Sequence, residues 1–120
     1  RKTMKIFAIR GAITVDADTP EQVTARSVEL MKTVAERNPS ARPISVIIST
    51  TEDIRSFYPA RAIRESGVTD APLFSCKEPE IKGALPLCIR GLVTAVSEDD
   101  GAEAVHAYLG KAATLRRDLA

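Results

Sequence analysis

An α+β fold, a mixed β-sheet with its helices packed on one face, is what this sequence predicts, and three observations predict it. Strand-like and helix-like stretches alternate, but their connections differ in length, unlike the even spacing of a doubly wound fold. Nothing resembles a Gly-rich phosphate loop. Two of the strand-like stretches are apolar on both faces, more than the helices of one small chain can cover, so a subunit interface is the simplest cover for the second face.

The elements follow in order. Lys5 to Val15 (KIFAIRGAITV) is rich in β-branched residues, and Phe7, Ile9, Ile13 and Val15 share a face under the two-residue period, which predicts a strand. Thr19-Pro20-Glu21-Gln22 then offers an N-cap, a proline at the first helical position and a glutamine at the third, the pattern of a capping box. Val23, Leu30, Met31 and Val34 recur at helical spacing until Asn38-Pro39, so an amphipathic helix lies on the sheet. Ile44 to Thr50 (ISVIIST) reads as a second strand, and Pro59 through Glu65 as a short helix ended by Gly67, with a loop of functional character between them. Leu73 to Ser75 is a short strand and Leu87 to Val96 (LCIRGLVTAV) a long one. Asp99-Asp100-Gly101 is expected to cap a final helix running to about Tyr108, with a short strand from Ala112 to Leu115 after it.

The bulk composition removes whole classes of function. A chain of 120 residues fills one domain, 1–120, with residues 1–3 read as a disordered or tag-like extension. Lys and Arg number 17 against 16 Asp and Glu, a balance that excludes a general nucleic-acid or anionic-membrane binder. No run approaches the ~20 apolar residues that cross a bilayer, and the first residues lack the apolar core of a secretion signal, so the expected location is the cytoplasm. Cys76 and Cys88 have neither CxxC spacing nor neighbouring histidines, which predicts two reduced thiols and no metal site.

The residues that carry chemistry are mostly arginines. Arg90 stands between Ile89 and Gly91 in an apolar strand and shares its face with Cys88, Leu92, Thr94 and Val96, so it is expected to be buried. Arg10 repeats the arrangement beside Ala8 and Ala12. A buried unpaired guanidinium is costly, so each needs a carboxylate or phosphate, either a ligand's or that of an internal acid such as Glu78 or Asp53. Arg61 and Arg64, three apart in PARAIRE, offer a second cationic patch or a solvated helix face paired with Glu65. Glu78 and Glu80 flank Pro79 in a loop of turn-formers. His106 is the sole histidine, a situation more often structural than catalytic, and Ser49, Ser75 and Ser97 lack a G-x-S-x-G setting. What remains, without metal ligands or a cofactor motif, is equipment for binding a small polyanion and stabilising separated charge.

Four stretches carry a family resemblance. IRGAITV (Ile9 to Val15), YPARAIRE (Tyr58 to Glu65), Glu78 with GALPLCIR (Gly83 to Arg90), and Tyr108-Leu109 followed by Leu115-Arg116 resemble, in order and spacing, the monofunctional AroH-type chorismate mutases over nearly the whole chain. The resemblance implies a homotrimeric pseudo-α/β-barrel with active sites in clefts between subunits. It implies the [3,3] Claisen rearrangement of chorismate to prephenate in phenylalanine and tyrosine biosynthesis, a unimolecular step without cofactor, metal or covalent intermediate. By position it makes Arg90 the donor to the breaking ether oxygen and a substrate carboxylate, and Glu78 the carboxylate that faces the ring. Arg10 and Tyr108 match the groups that bind the enolpyruvyl carboxylate, and Arg64 a further cationic contact from the neighbouring subunit. Tyr58, Ala60, Arg61, Leu73, Phe74 and Ser75 fall in the pocket wall, and Leu115 and Arg116 beside the site. Ser75 takes the place usually held by a cysteine, with Cys76 one position later. Two other readings keep the trimer: a non-catalytic sensor of a small dicarboxylate, and an enamine/imine deaminase-like trimer. Glu78 discriminates, because a pure binder gains nothing from a carboxylate beside a dianionic ligand.

Overall fold

The structure, a computed structural model, describes residues 3–119. Residues 1 and 2 of the expected extension lie outside the described residues, whereas Thr3 is placed and its Oγ1 donates to Asp100 Oδ1 at 3.3 Å. Strands β1 (Lys5–Thr14), β2 (Arg42–Thr50), β3 (Leu73–Lys77), β4 (Cys88–Ser97) and β5 (Ala107–Tyr108) form one sheet in the order β3-β2-β4-β1-β5. The central β4 pairs antiparallel with β1 and β2, while β3 runs parallel to β2 and β5 parallel to β1, so the sheet is mixed, as predicted.

Helices α1 (Pro20–Arg37) and α2 (Pro59–Ser66) cover one face. Thr19 is extended and its hydroxyl accepts the Gln22 N–H at 3.2 Å, while Gln22 Oε1 reaches back to the Asp16 N–H at 3.3 Å, a capping box stretched toward the preceding loop. The predicted stripe of Val23, Leu30, Met31 and Val34 is buried. It meets Ile9 and Ile13 of β1, Val46 and Ile48 of β2, and Ile89 and Val93 of β4 in one core, to which α2 adds Ile63. Gly67 ends α2 in the left-handed conformation, at φ 73°. β2 begins at Arg42, ahead of the apolar run, because an irregularity in its ladder between Pro43 and Ser45 accommodates the proline.

Two expectations fail near the C-terminus. The helix expected from Asp99 to Tyr108 is absent: Asp99 Oδ1 accepts the Gly101 N–H at 2.9 Å and Asp99 O the Ala102 N–H at 3.1 Å, so the acid closes a turn. Beyond it the chain is extended, because Asn38 donates from Nδ2 to Val105 O at 2.9 Å and accepts the Val105 N–H at 2.8 Å. These bonds and the β1–β5 pairing satisfy backbone groups that a helix would have satisfied internally. The strand expected from Ala112 to Leu115 is instead a 3-10 helix over Gly110–Thr114. Gly110 takes φ 59°, where any Cβ would fall 2.8 Å from Thr14 Oγ1, and that hydroxyl accepts the Lys111 N–H at 3.1 Å.

The second face of the sheet is open except at one end, where the C-terminal segment buries Ala12, Cys88 and Tyr108. Register places Ile6, Arg10, Ile47, Phe74, Arg90 and Leu92 on it, and Ile6 and Phe74 are 68% and 69% exposed. Arg10 and Arg90, expected to be buried, are therefore exposed within this chain. The alternation in sequence marks a sheet face, but the two helices take only the other one.

Ile89 is fully buried between Ile13 and Thr50 in register. Ile89→Ala is expected to lower the unfolding free energy by about 3 kcal/mol, read as a lower urea midpoint at unchanged slope and fixed protein concentration. A loss below ~1 kcal/mol would mean that this layer does not hold the core.

Candidate active site

The pairing register draws one row across all five strands on the open face: Cys76, Ser49, Arg90, Ala12 and Tyr108. Side chains opposed in this way are about 5 Å apart from strand to strand. Arg90 occupies the centre of the row and Tyr108 one end. Glu78 enters from the other end, where its N–H donates to Thr50 O at 2.9 Å just beyond β3 and turns the side chain back over the sheet. Its Oε1 accepts the Ser49 hydroxyl and lies 3.6 Å from Arg90 Nε. At that distance the two are an ion pair without a hydrogen bond, so the carboxylate opposes the guanidinium without locking its fork. The Arg90 side chain is 44% exposed and that of Glu78 19%. Arg10 stands in the next row, opposite Leu92, diagonal to Arg90.

The C-terminal segment closes the Tyr108 end. Ala12, Cys88, Tyr108 and Ala112 form a small buried cluster, with Leu85 and Leu115 packed against it. Burial pushes the Cys88 thiol up, against the lowering pull of Arg90, so it is a neutral packing group and not a nucleophile. Arg116 grips Asp118 through two bonds, Nε to Oδ1 at 3.1 Å and Nη2 to Oδ2 at 2.8 Å, which hold the Asp118 carboxyl below its usual range.

A second group gathers around α2. Tyr58, Ala60, Arg61, Arg64 and Leu73, with Asp70, line an open cleft of about 460 Å³, which takes no residue from the Arg90 row. Arg61 lies over the Phe57 ring at 5.4 Å and 3.4 Å from Glu65, the solvated pairing weighed for this helix, whereas Arg64 forms no ion pair among the described residues. The pleat of β3 separates its members: Phe74 and Cys76 face the Arg90 side, and Ser75 lines a cleft of about 450 Å³ with Tyr58 on the helix side. Cys76, not Ser75, is therefore in register with Ser49 and Arg90.

Two residues escaped the sequence reading of the site. Ser49 was considered only as a nucleophile, although the alternation ISVIIST already places it on the face opposite Ile48. Asp53 was considered as an ion partner of Arg90. Its carboxylate instead accepts the Leu87 N–H, at 3.1 and 3.0 Å to its two oxygens, and the Thr51 hydroxyl at 2.5 Å, while Thr51 Oγ1 accepts the Cys88 N–H at 3.0 Å. Leu87 has φ 52°, the left-handed region that costs a leucine on the order of 1–2 kcal/mol. The carboxylate compensates that strain at the residue that leads into β4, and so fixes where Arg90 enters the sheet.

Residues 6–119 match the family model described as chorismate mutase type I. The chain is 34% identical to chorismate mutase AroH of Bacillus subtilis, over 97% of this chain and 94% of that protein. It is 40% identical to chorismate mutase AroH of Thermus thermophilus, over 95% and 96%. Among solved structures it is similar to a chorismate mutase from Clostridium thermocellum, with a TM-score of 0.78 and 32% identity, covering 90% of this chain and 98% of that one.

Asp53→Ala removes the charged acceptor of the Leu87 N–H, and a cost of about 2–3 kcal/mol in unfolding free energy is expected. Asp53→Asn, which keeps an acceptor oxygen, is expected to recover most of it. Equal stability of Asp53→Ala and wild type in urea would show that the Leu87 turn stands without this contact.

Proposed function

The chain belongs to the chorismate mutase type I family, and from that premise we propose that it is an isomerase that rearranges chorismate to prephenate in aromatic amino-acid biosynthesis. In this [3,3] shift the ether C–O bond breaks as a C–C bond forms, and no proton is transferred and no covalent intermediate arises. The step is unimolecular and calls for no cofactor or metal. Charge separates on the way: the ether oxygen becomes negative and the ring positive. Arg90 donates to the developing oxyanion and to a carboxylate, and Glu78 faces the ring. The single observation that carries this reading is the opposition of Arg90 and Glu78, 3.6 Å apart on the open face, a cation and an anion ready to flank a dipolar transition state.

Arg10 and Tyr108 bind the enolpyruvyl carboxylate, with Leu115 and Arg116 alongside. The remaining wall comes from a second copy of the chain in a homotrimer: Arg64 and Arg61 with Tyr58 and Ala60, and Leu73 to Ser75. What supports the trimer is the open face itself, where Ile6, Ile47, Phe74 and Leu92 are exposed together beside the arginines. Closing that face by a neighbour buries the site, holds the compact conformer of the substrate and strengthens every charge in it. No helix among the described residues is long and apolar enough to cross a membrane. A cytoplasmic setting fits Cys76 and Cys88, which form no disulfide.

The first test is loss of the chorismate diene absorbance on mixing with the purified protein, with prephenate identified by acid conversion to phenylpyruvate. No acceleration over buffer would contradict the proposal. Arg90→Lys keeps the charge but not the fork, and is expected to lower kcat/KM by about two to three decades, the usual cost of one preorganised donor. Near-normal turnover by that variant would remove Arg90 from its role.

A further inference from the structure

Strand β5 is only Ala107 and Tyr108, paired with Gly11 and Ala12, and the Leu109 N–H donates to Ala12 O at 2.8 Å. At the other end of this short ladder the Arg10 N–H has a side-chain partner. It donates to the ring of His106, reaching Nδ1 at 2.8 Å. The main chain of His106 is fixed from α1: Arg37 Nη1 donates to its carbonyl at 2.9 Å, and Asn38 holds Val105 through two bonds. The ring is thus a spacer between the C-terminus of α1 and the backbone of Arg10.

This bond has a direction. The Arg10 N–H donates, so Nδ1 must be unprotonated and the neutral ring must carry its proton on Nε2. Two cations bear on the ring, Arg10 from β1 and Arg116 from the C-terminal turn, the latter paired with Asp118, whose carboxyl also feels Arg10; Arg37 of α1 sits at the main-chain carbonyl. Partial burial first, then Arg10 and Arg116, hold the imidazole below its ordinary range. A group depressed in this way holds its contact above the ordinary histidine value of about 6.5 and loses it as pH falls through the lower folded value.

We propose that His106 is a positioning residue for the substrate carboxylate: its neutral ring sets the main chain of Arg10 and the register of Tyr108, and its protonation releases both. The proposal rests on the reading of Arg10 and Tyr108 given above and adds to it a group that touches neither substrate nor reacting atoms. It gives a reaction without proton transfer an acidic limb that appears in KM.

Three proteins test it: wild type, His106→Asn and His106→Leu. The asparagine Oδ1 falls near the place of Nδ1 and accepts the same N–H without titrating, whereas leucine fills the space and accepts nothing. His106→Leu is expected to raise KM for chorismate about three- to tenfold with kcat little changed. His106→Asn is expected to keep KM near that of wild type and to abolish the rise in KM on acidification. Every other titrating group is shared, so the difference isolates His106. Equal KM increases in both variants, or superimposable pH profiles for wild type and His106→Asn, would overturn the proposal. Because the chain has one histidine, its 15N spectrum is unambiguous. A proton on Nδ1 at about pH 7.5 would overturn the proposal even if His106→Leu failed to fold. Should wild type fail to convert chorismate, the functional reading falls and the role with it, while the spectrum still reports whether the bond exists.

Discussion

A cation standing where a core residue would stand is the constraint on which the rest of this structure depends. Arg90 sits at the centre of a fully paired five-stranded sheet, between Cys88 and Leu92 on its face, and Glu78 opposes it at 3.6 Å. Half-exposed ion pairs contribute on the order of 0–1 kcal/mol to stability, so the fold gains little from this one. Its supports are disproportionate to that gain. Ser49 fixes the carboxylate, the Thr50 carbonyl fixes the backbone of Glu78, and Asp53 holds Leu87 in a left-handed turn so that β4 starts in place. Such support around a weak contact fits a pair held for a ligand, which the proposed function makes the dipolar transition state of chorismate.

The same face underlies the proposal that one chain supplies half of what the reaction needs. The helices take the Ile9, Val46 and Val93 side, leaving Arg10 and Arg90 among exposed Ile6, Ile47, Phe74 and Leu92. The cleft of Tyr58, Arg61 and Arg64 lies across β3, apart from the Arg90 row. In the proposed trimer, association through the open face would cover the apolar residues and bring a second cationic wall to the first in one step, making assembly and site completion one event.

Much of this was legible in the sequence where the deciding interactions are local. The ends of α1 follow from Thr19-Pro20 and Asn38, the strands β1, β2 and β4 from alternation, and the end of α2 from Gly67. Residues 99–115 were misread because their conformation is set from afar: Asn38 holds Val105, Thr14 accommodates Gly110, and β1 recruits Ala107 and Tyr108. Arg10 and Arg90 stand exposed in the single chain because a two-residue period reports a face and not what covers it. In the site, resemblance marked Arg90 and Tyr108, which the register puts in one row, and Glu78, which reaches that row from beyond β3. It left the register of Ser75 and Cys76 open, and the pleat presents Cys76 on the Arg90 face. The parts played by Asp53 and His106 rest on bonds to backbone N–H groups 34 and 96 residues distant, which no local pattern encodes.

The central claim, that Arg90 of one chain and Arg64 of another complete one site, is tested most directly by mixing two crippled proteins. Arg90→Ala and Arg64→Ala, each nearly inactive alone, are unfolded together in equal amounts and refolded as hybrids. A site intact on both sides then forms wherever an Arg64→Ala chain offers its Arg90 to an Arg90→Ala chain offering its Arg64. The account predicts recovery of about one quarter of wild-type chorismate turnover, the statistical share of such pairings in a cyclic assembly. Activity no higher than that of the separate variants would contradict it and place both arginines in sites within a single chain.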